Sequence, residues 1–348
     1  MPRHVKSRLL DGYAMKVVVL YGEVSADAGI DEKDVLVQVA AVSSALTDLE
    51  YTPIILPLSL NFLPSIDAIK KIQPSFVFNI VETLAGQGSL IHMAPSLLEY
   101  LDIPYTGAGT EAMFLTSNKV LAKQRLHAAG IATPPFFIPG RTVGSSFVEG
   151  TYIIKSVWEH ASTWLDEASI ISVRDMDSIH HTIQSQKEKL GMGCFAEIFI
   201  EGREFNLSLL AGERGPEVLP PAEIRFDDFP PGKARVVDYR SKWVEDSFEY
   251  HHTPRNFNFP QEDDPLLLQL TDLARQCWHV FELRGYARID FRVDGTGRPW
   301  VLEVNTNPCL SPDGGFYAAV ERSGLTFTQA IERIIEDIKR VRLIFEQI

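Results

Sequence analysis

The segment YARIDFRVDGTGRPWVLEVN, residues 286–305, constrains the fold more than any other stretch of this chain. Two apolar runs flank DGTG, which is a hairpin signal. A four-residue loop from Gly295 to Arg298 pairs Asp294 with Pro299. The same count sets Asp290 opposite Glu303 and Arg288 opposite Asn305. Side chains alternate along a strand with a period of two. One face then carries Ile289, Phe291, Val293, Trp300, Leu302 and Val304. The other carries Arg288, Asp290, Arg292, Val301, Glu303 and Asn305. A loop one residue longer would scramble this separation. The first face reads as core. The second gathers two carboxylates, an amide and two arginines. Carboxylate and amide oxygens are hard ligands suited to Mg²⁺ that keeps some water and binds phosphate oxygens. A solvated face laced with ion pairs is the other reading. Asn305, followed by Thr306, Asn307 and Pro308, marks a strand end, where sites tend to sit.

The 348 residues predict two or three domains. The net charge is −13, from 33 basic and 46 acidic residues, with no basic block to offset it. A nucleic-acid partner is therefore not expected. No apolar run approaches the roughly 20 residues that span a bilayer, so no membrane partner is expected. The start, MPRHVKSRLLDGYAM, lacks the apolar core of a signal peptide. Residues 1–15 are expected to be a flexible leader; a basic arm that contacts a partner is the alternative. The three cysteines, Cys194, Cys277 and Cys309, are odd in number and form no CxxC pair. That spacing argues against a disulfide framework or a zinc site, and the cytoplasm is the expected compartment. Cys277 shares an apolar stripe with Leu266, Leu270, Leu273, Ala274 and Phe281, and is expected in the core. Cys309 has no histidine base nearby in sequence, so it is not expected to act as a nucleophile.

Strands and helices alternate through the first third of the chain. KVVVLY, YTPIILPL and SFVFNIV read as strands, and a helical pattern runs from Asp31 to Leu49. LIHMAPSLLEYLDIPYTG reads as a helix and a short strand. Alternation of this kind predicts a parallel sheet covered on both faces. An α/β domain is therefore expected over 16–116. A helix follows from Asn118 to Ala129, then the proline-rich linker ATPPFFIPG. GTYIIKSV is a strand, and DSIHHTIQSQKEKLG is a helix with Asp177 as N-cap and Gly191 beyond its end. CFAEIFIEG and REFNLSLLAG form two strands around a turn at Gly202. These segments define a central unit over 117–210. The last unit, 211–348, opens with an irregular charged stretch from Gly212 to Pro265. It continues through a helix over Leu266–Leu283, the hairpin, and a final helix from Thr328.

Several charged residues stand where a strand or helix start does not want them. Lys155 lies inside the apolar strand YIIKSV and needs an anionic partner, either a carboxylate or a phosphate. Lys119 opens a helix, although the dipole favours anions there; reaching for a phosphate would account for it. Glu197 and Glu204 flank IFIEGR, where one acceptor could meet an adenine amino group and the other ribose hydroxyls. Taken alone, each reads first as a solvated carboxylate. Lys242 sits in YRSKWVED. SVWEHASTW is a polar loop without the glycine cradle of a Walker motif, and the first βα turn lacks GxGxxG.

From about Lys16 to Ile338 these stretches resemble the ATP-grasp fold, and within it the D-alanine–D-alanine ligase family. FNIVETLAGQG, LLEYLDIPYTGAG and TSNKVLAKQRLHAAGIATPP are similar to that family's N-terminal half. EIFIEGREFNLSLL, YARIDF and LEVNTNP are similar to its nucleotide and metal half. The resemblance implies an N-terminal α/β domain followed by two domains that clasp ATP. It implies that Lys119 and Lys155 hold ATP phosphates and that Lys242 reaches the γ-phosphate. Glu197 would lie by the adenine, with Phe199 and Ile200 lining its pocket, and Glu204 by the ribose. Asp290, Glu303 and Asn305 would bind two Mg²⁺ ions, with Mn²⁺ as an alternative. Arg288 would stabilise the charged intermediate, and Glu32 would correspond to the glutamate that binds the first substrate's amine. A homodimer is also implied.

The chemistry implied is an amide or dipeptide bond made from a small carboxylate and a small amine, such as amino acids. A carboxylate does not react with an amine directly, because oxide is too poor a leaving group. Phosphorylation gives an acyl phosphate, and lysines with Mg²⁺ supply the charge neutralisation that the transfer needs. Arg288 would stabilise the oxyanion formed on attack by the amine. A lid is expected to exclude water, either the WEHASTW loop or residues 227–246. The departures from the family fall on the substrate side. Cys309 replaces a glycine after the proline, and Gly314 stands near a serine position. Trp243 stands where a tyrosine is frequent, and Glu82 where the ligases have histidine. Glu82 with Asp313 would suit a more cationic amine. Three alternatives remain: a true D-alanine–D-alanine ligase, a non-catalytic nucleotide-binding protein, and a metal-dependent hydrolase that needs no ATP.

Overall fold

The computed structural model describes residues 9–10, 13–138, 148–158 and 165–345. Residues 1–8 and 11–12 of the expected leader lie outside the described residues, as do residues 159–164 of the WEHASTW loop. Within the leader, Leu9–Leu10 pairs antiparallel with Tyr13–Ala14.

The first sheet is parallel. Strand β1 (Lys16–Gly22) lies between β2 (Thr52–Leu58) and β3 (Phe76–Asn79). Helix α1 (Ile30–Asp48) covers the face of Val17 and Val19. Helices α2 (Phe62–Ile72) and α3 (Met93–Tyr100) cover the face of Val18 and Leu20. Cover on both sides is why β1 reads as a continuous apolar run rather than an alternating one. The sequence pattern passes over α2, since Pro64 interrupts it. The proline falls in the first helical turn, where its missing N–H has no intrahelical partner to lose. The short strand expected in IPYTG reduces to a single bridge between Tyr105 and Val77. Helices α4 (Thr110–Ser117) and α5 (Lys119–Ala128) lead out of this unit. The Asn118 side chain caps α5 by accepting from the amides of Val120 and Leu121.

The second sheet is antiparallel. Its strands are β4 (Phe136–Phe137), β5 (Gly150–Ser156), β6 (Ile170–Val173) and β7 (Cys194–Ile198), in the order β4-β7-β5-β6. Helix α6 (Met176–Leu190) packs on it through Ile179 and Ile183. Its cap is Asp175, which accepts from the Ser178 amide at 2.7 Å. The expected cap, Asp177, instead lies inside the first turn and favours the dipole from there.

The third sheet holds β8 (Gly202–Leu210), β9 (Glu217–Val218), β10 (Ala222–Ile224), β11 (Arg255–Asn256), β12 (Tyr286–Asp294) and β13 (Pro299–Asn305). The order is β11-β10-β8-β12-β13, with β9 also on β8. The stretch read as irregular therefore supplies three short strands, together with the short helices α7 (Tyr239–Trp243) and α8 (Phe248–His251). Strands β7 and β8 do not form the hairpin expected around Gly202; they lie in different sheets. Gly202 starts β8 with φ +146°, and a Cβ there would fall 1.9 Å from the Val293 carbonyl oxygen. Only glycine allows β8 to approach β12 this closely. Helix α9 (Asp264–Val280) covers the sheet, with Cys277 fully buried as its stripe predicts.

The hairpin corrects the expected register at its tip. Asp290 does face Glu303, and Arg288 faces Asn305. Beyond them the pairing shifts by one residue, so that Phe291 faces Val301 and Val293 faces Pro299. Asp294 donates to the Arg298 carbonyl at 3.1 Å, and Gly297 turns with φ +82°. Leu302 is thus the extra residue of a β-bulge. Its physical effect is to exchange faces. Val301 enters the core at 0% exposure, while Leu302 turns toward the cleft. Trp300 leaves the core face to stack under Arg298 and donate to Asp294 at 2.9 Å. Helices α10 (Gly315–Arg322) and α11 (Phe327–Phe345) complete the chain. Ile331, Ile334 and Ile335 of α11 pack into the same core as Val39, Val42 and Leu46 of α1. Among the described residues no helix is long and apolar enough to cross a membrane.

Candidate active site

A cleft of about 1010 Å³ is lined by residues from all three sheets. All the sequence-selected site residues line it: Lys119, Lys155, Glu197, Phe199 and Ile200 near the second sheet, and Glu204, Lys242, Arg288, Asp290, Glu303 and Asn305 near the third. Glu32, Glu82, Asp313 and Gly314 line its other end. Of the lid candidates, residues 227–246 border the cleft through Val236, Val237 and Ser241.

The β12–β13 ladder brings together the oxygen-bearing side chains that the sequence singles out. Asp290 and Glu303 are direct cross-strand partners. Arg288 grips Asp290 with two hydrogen bonds, Nε to Oδ1 at 2.7 Å and Nη2 to Oδ2 at 2.8 Å. Asn206, opposite Asp290 on β8, donates to the same Oδ1 at 2.8 Å. Lys119 reaches Glu303 at 3.3 Å. The side-chain Oδ1 of Asn305 accepts from the Asn307 backbone N–H at 3.0 Å, which fixes the orientation of the Asn305 side chain. Burial works against the Arg288 charge, but Asp290 and Glu303 outweigh it and hold the guanidinium above its ordinary value. Lys242 projects from α7, whose start is capped by Asp238. Burial and the like charge of Arg288 hold its ammonium below the usual lysine range, while Glu303, Asp290 and Glu204 pull it up. A cation loosened in this way gains most when a dense anion arrives.

Sequence reading missed the partners that hold the neighbouring glutamates. Glu197 is 1% exposed and takes two lysines: Lys155 at 2.5 Å and Lys123 at 2.6 Å. Burial would raise the Glu197 carboxyl, but Lys123 and Lys155 hold it below the ordinary range. Lys123 is itself 1% exposed and also donates to Thr133, which donates to the Val301 carbonyl. The signal was present: Val120, Lys123 and Leu126 follow helical spacing along the buried stripe of α5, and a lysine there needs a partner. Glu204 is held by Arg292 at 2.8 Å. Arg292, read as a residue of the polar face, is 3% exposed and lies between the rings of Phe199 and Phe226.

The far end of the cleft is acidic. Glu32 is exposed in the first turn of α1, whereas Asp34, two residues on, is engaged inside. Asp34 accepts from Ser311 at 2.8 Å, from the Cys309 thiol at 3.1 Å and from Gln38 at 3.1 Å. Gln38 also donates to Glu82 at 3.1 Å. Burial pushes the Cys309 thiol well up, and Glu82 and Asp34 add to that, so it is no ready nucleophile. Burial, together with the charge of Asp34, pushes the Glu82 carboxyl up to about 7. The consequence for stability has a definite sign. Below about pH 4.3 the carboxyl is protonated in both states. As pH rises toward 7 the unfolded chain ionises first, so stability falls; above 7 the loss is constant. Glu82→Gln keeps the bond from Gln38 and removes the penalty. It is expected to exceed the parent by up to about 3 kcal/mol at pH 8 and by nothing at pH 4 in urea unfolding.

The family model described as D-ala D-ala ligase C-terminus matches residues 169–336. The D-alanine–D-alanine ligase of Moorella thermoacetica is 28% identical over 331 residues, covering 92% of this chain and 98% of that protein. The ligase of Aquifex aeolicus is 28% identical over 326 residues, covering 92% and 100%. Among solved structures, the D-alanine–D-alanine ligase of Bacillus anthracis complexed with ATP superposes with a TM-score of 0.68 at 21% identity, covering 94% of this chain and 99% of that one. The enzyme of Coxiella burnetii gives 0.67 at 19% identity, covering 96% and 98%. The chain has the fold of these ligases, and over nearly its whole length it resembles the D-alanine–D-alanine ligase family.

Proposed function

We propose that this protein is an ATP- and Mg²⁺-dependent ligase that joins a small carboxylate to a small amine, both amino acids, through an acyl phosphate. The observation that carries this reading is the meeting of two opposed sets of groups in one cleft. Asp290, Glu303 and Asn305 present hard oxygens from β12 and β13, and Lys119, Lys155 and Lys242 reach the same space. Among the described residues no cluster of three or more His, Cys, Asp or Glu could hold a metal. Two carboxylates and one amide suit Mg²⁺, which takes its remaining ligands from water and phosphate oxygens. Bound there, Mg²⁺ would neutralise phosphate charge. Lys119, Lys155 and Lys242 would orient the phosphates of ATP, with Phe199, Ile200 and Leu302 around the base. Glu197 would lie near the adenine and Glu204 near the ribose, each fixed by its cationic partner. Arg288, kept charged and aimed by Asp290, would stabilise the oxyanion as the amine attacks.

The test is phosphate release from Mg-ATP with D- and L-amino acids, singly and in pairs. Release with D-alanine alone would make the protein a D-alanine–D-alanine ligase. Release with another pair would name that amide bond. Bound ATP without release from any mixture would overturn the ligase reading in favour of a non-catalytic nucleotide-binding protein. Turnover without ATP would favour a hydrolase.

A further inference from the structure

Among the described residues, one arginine of the cleft forms no ion pair with a carboxylate. Arg255 stands on β11, the edge strand of the third sheet, in register with Ile224 of β10. Its side chain is open to the cleft, at the corner formed with Arg288, Cys309 and Gly314. The two neighbouring arginines are committed, Arg288 to Asp290 and Arg292 to Glu204. Among the described residues Arg255 has no such partner: its one bond runs from Nη1 to the backbone carbonyl of Asp313, at 2.8 Å. The edge formed by Nε and Nη2, which matches a carboxylate in a two-bond fork, is left for a ligand. The cleft walls and the charge of Arg288 both push this guanidinium below its ordinary value, with Asp313 and Tyr250 opposing. At Gly314 and Gly315 the loop opposite offers no side chain. A Cβ on Gly314 would come 2.9 Å from the Ser311 carbonyl oxygen, and one on Gly315 would come 3.5 Å from Arg255 Nε.

We propose that Arg255 binds the carboxylate of the amine-bearing substrate and thereby restricts that substrate to amino acids with a free carboxylate. The inference rests on the ligase reading. In that reaction the donor's carboxylate loses its charge when it becomes an acyl phosphate, beside Asp290 and Glu303. A carboxylate that persists from binding to product belongs to the acceptor. Arg255 bonds the Asp313 carbonyl and lies beside Gly315, whereas Asp290 and Glu303 are taken by Arg288 and Lys119, which sets it on the acceptor's side of Arg288.

The experiment uses the full chain with Mg-ATP, a panel of D- and L-amino acids as donors, and three acceptor sets: the same amino acids, their carboxamides, and methylamine. Phosphate release and product mass are both read. A carboxamide can only be an acceptor, so the comparison isolates the group in question. The parent is expected to prefer the acid over its carboxamide by about 10- to 100-fold in kcat/KM. Arg255→Gln is expected to erase that preference through the acceptor's KM, with the KM for ATP unchanged, and Arg255→Lys to restore part of it. Equal use of carboxamides or methylamine by the parent would overturn the proposal and leave the ligase standing. So would a preference that survives Arg255→Gln. Absence of release with every acceptor would overturn the ligase reading and the inference that rests on it.

Discussion

Glu303→Ala is expected to lower kcat for phosphate release by at least about 100-fold. The carboxylate faces Asp290 across the β12–β13 ladder and supplies one of the two anionic oxygen donors at that point. Its loss leaves one carboxylate, already shared with Arg288 and Asn206. The Mg²⁺ concentration for half-maximal rate is expected to rise in the same variant. Folding is expected to change little. Glu303 has a side chain 24% exposed, and its ion pair with Lys119 is long at 3.3 Å, so the stability loss stays within about 1 kcal/mol. A large fall in rate with an unchanged unfolding midpoint separates a metal-ligand role from a structural one. If the rate and its Mg²⁺ dependence both stay at parent values, the metal assignment is wrong.

Lys123→Met is expected to cost about 3–5 kcal/mol of stability in denaturant unfolding. The ammonium and the Glu197 carboxylate are each 1% exposed, and they meet at 2.6 Å. Removing the lysine leaves a buried carboxylate with Lys155 alone, and it also breaks the bridge from α5 through the Thr133 hydroxyl to the Val301 carbonyl of β13. The second half of the test is the double replacement with Glu197→Leu. Because a buried ion pair repays little more than its own desolvation, replacing both charges is expected to recover most of the loss. Additive losses in the double variant would show instead that each residue has an independent structural role.

Much of the site was legible because it lies along a single local pattern. The hairpin residues face one another through a turn of a few residues, so counting from DGTG gives Asp290 opposite Glu303 without knowledge of the rest of the chain. The same count fails at Val301 and Leu302, since a bulge costs nothing that the apolar pattern records: valine and leucine suit either face. Lys155 announced a buried anion by sitting in an apolar strand, and Glu197 proved to be that anion. Arg255 announced nothing, because an arginine in a charged stretch is ordinary; only the cleft around it makes it unusual.

By itself the sequence determined the longer strands, most of the longer helices, the parallel first unit and the pairing of Asp290 with Glu303. Each of those follows from periodicity and turn chemistry among residues close along the chain. The tertiary structure alone decided that β7 and β8 part into separate sheets. It decided that Lys123 rather than solvent meets Glu197, and that Asp34 rather than Glu32 joins Ser311 and Cys309. Those partners are far apart in sequence. Which of them meet is fixed by how three sheets pack around one cleft, where a buried charge must find its opposite and no local pattern records which one it finds.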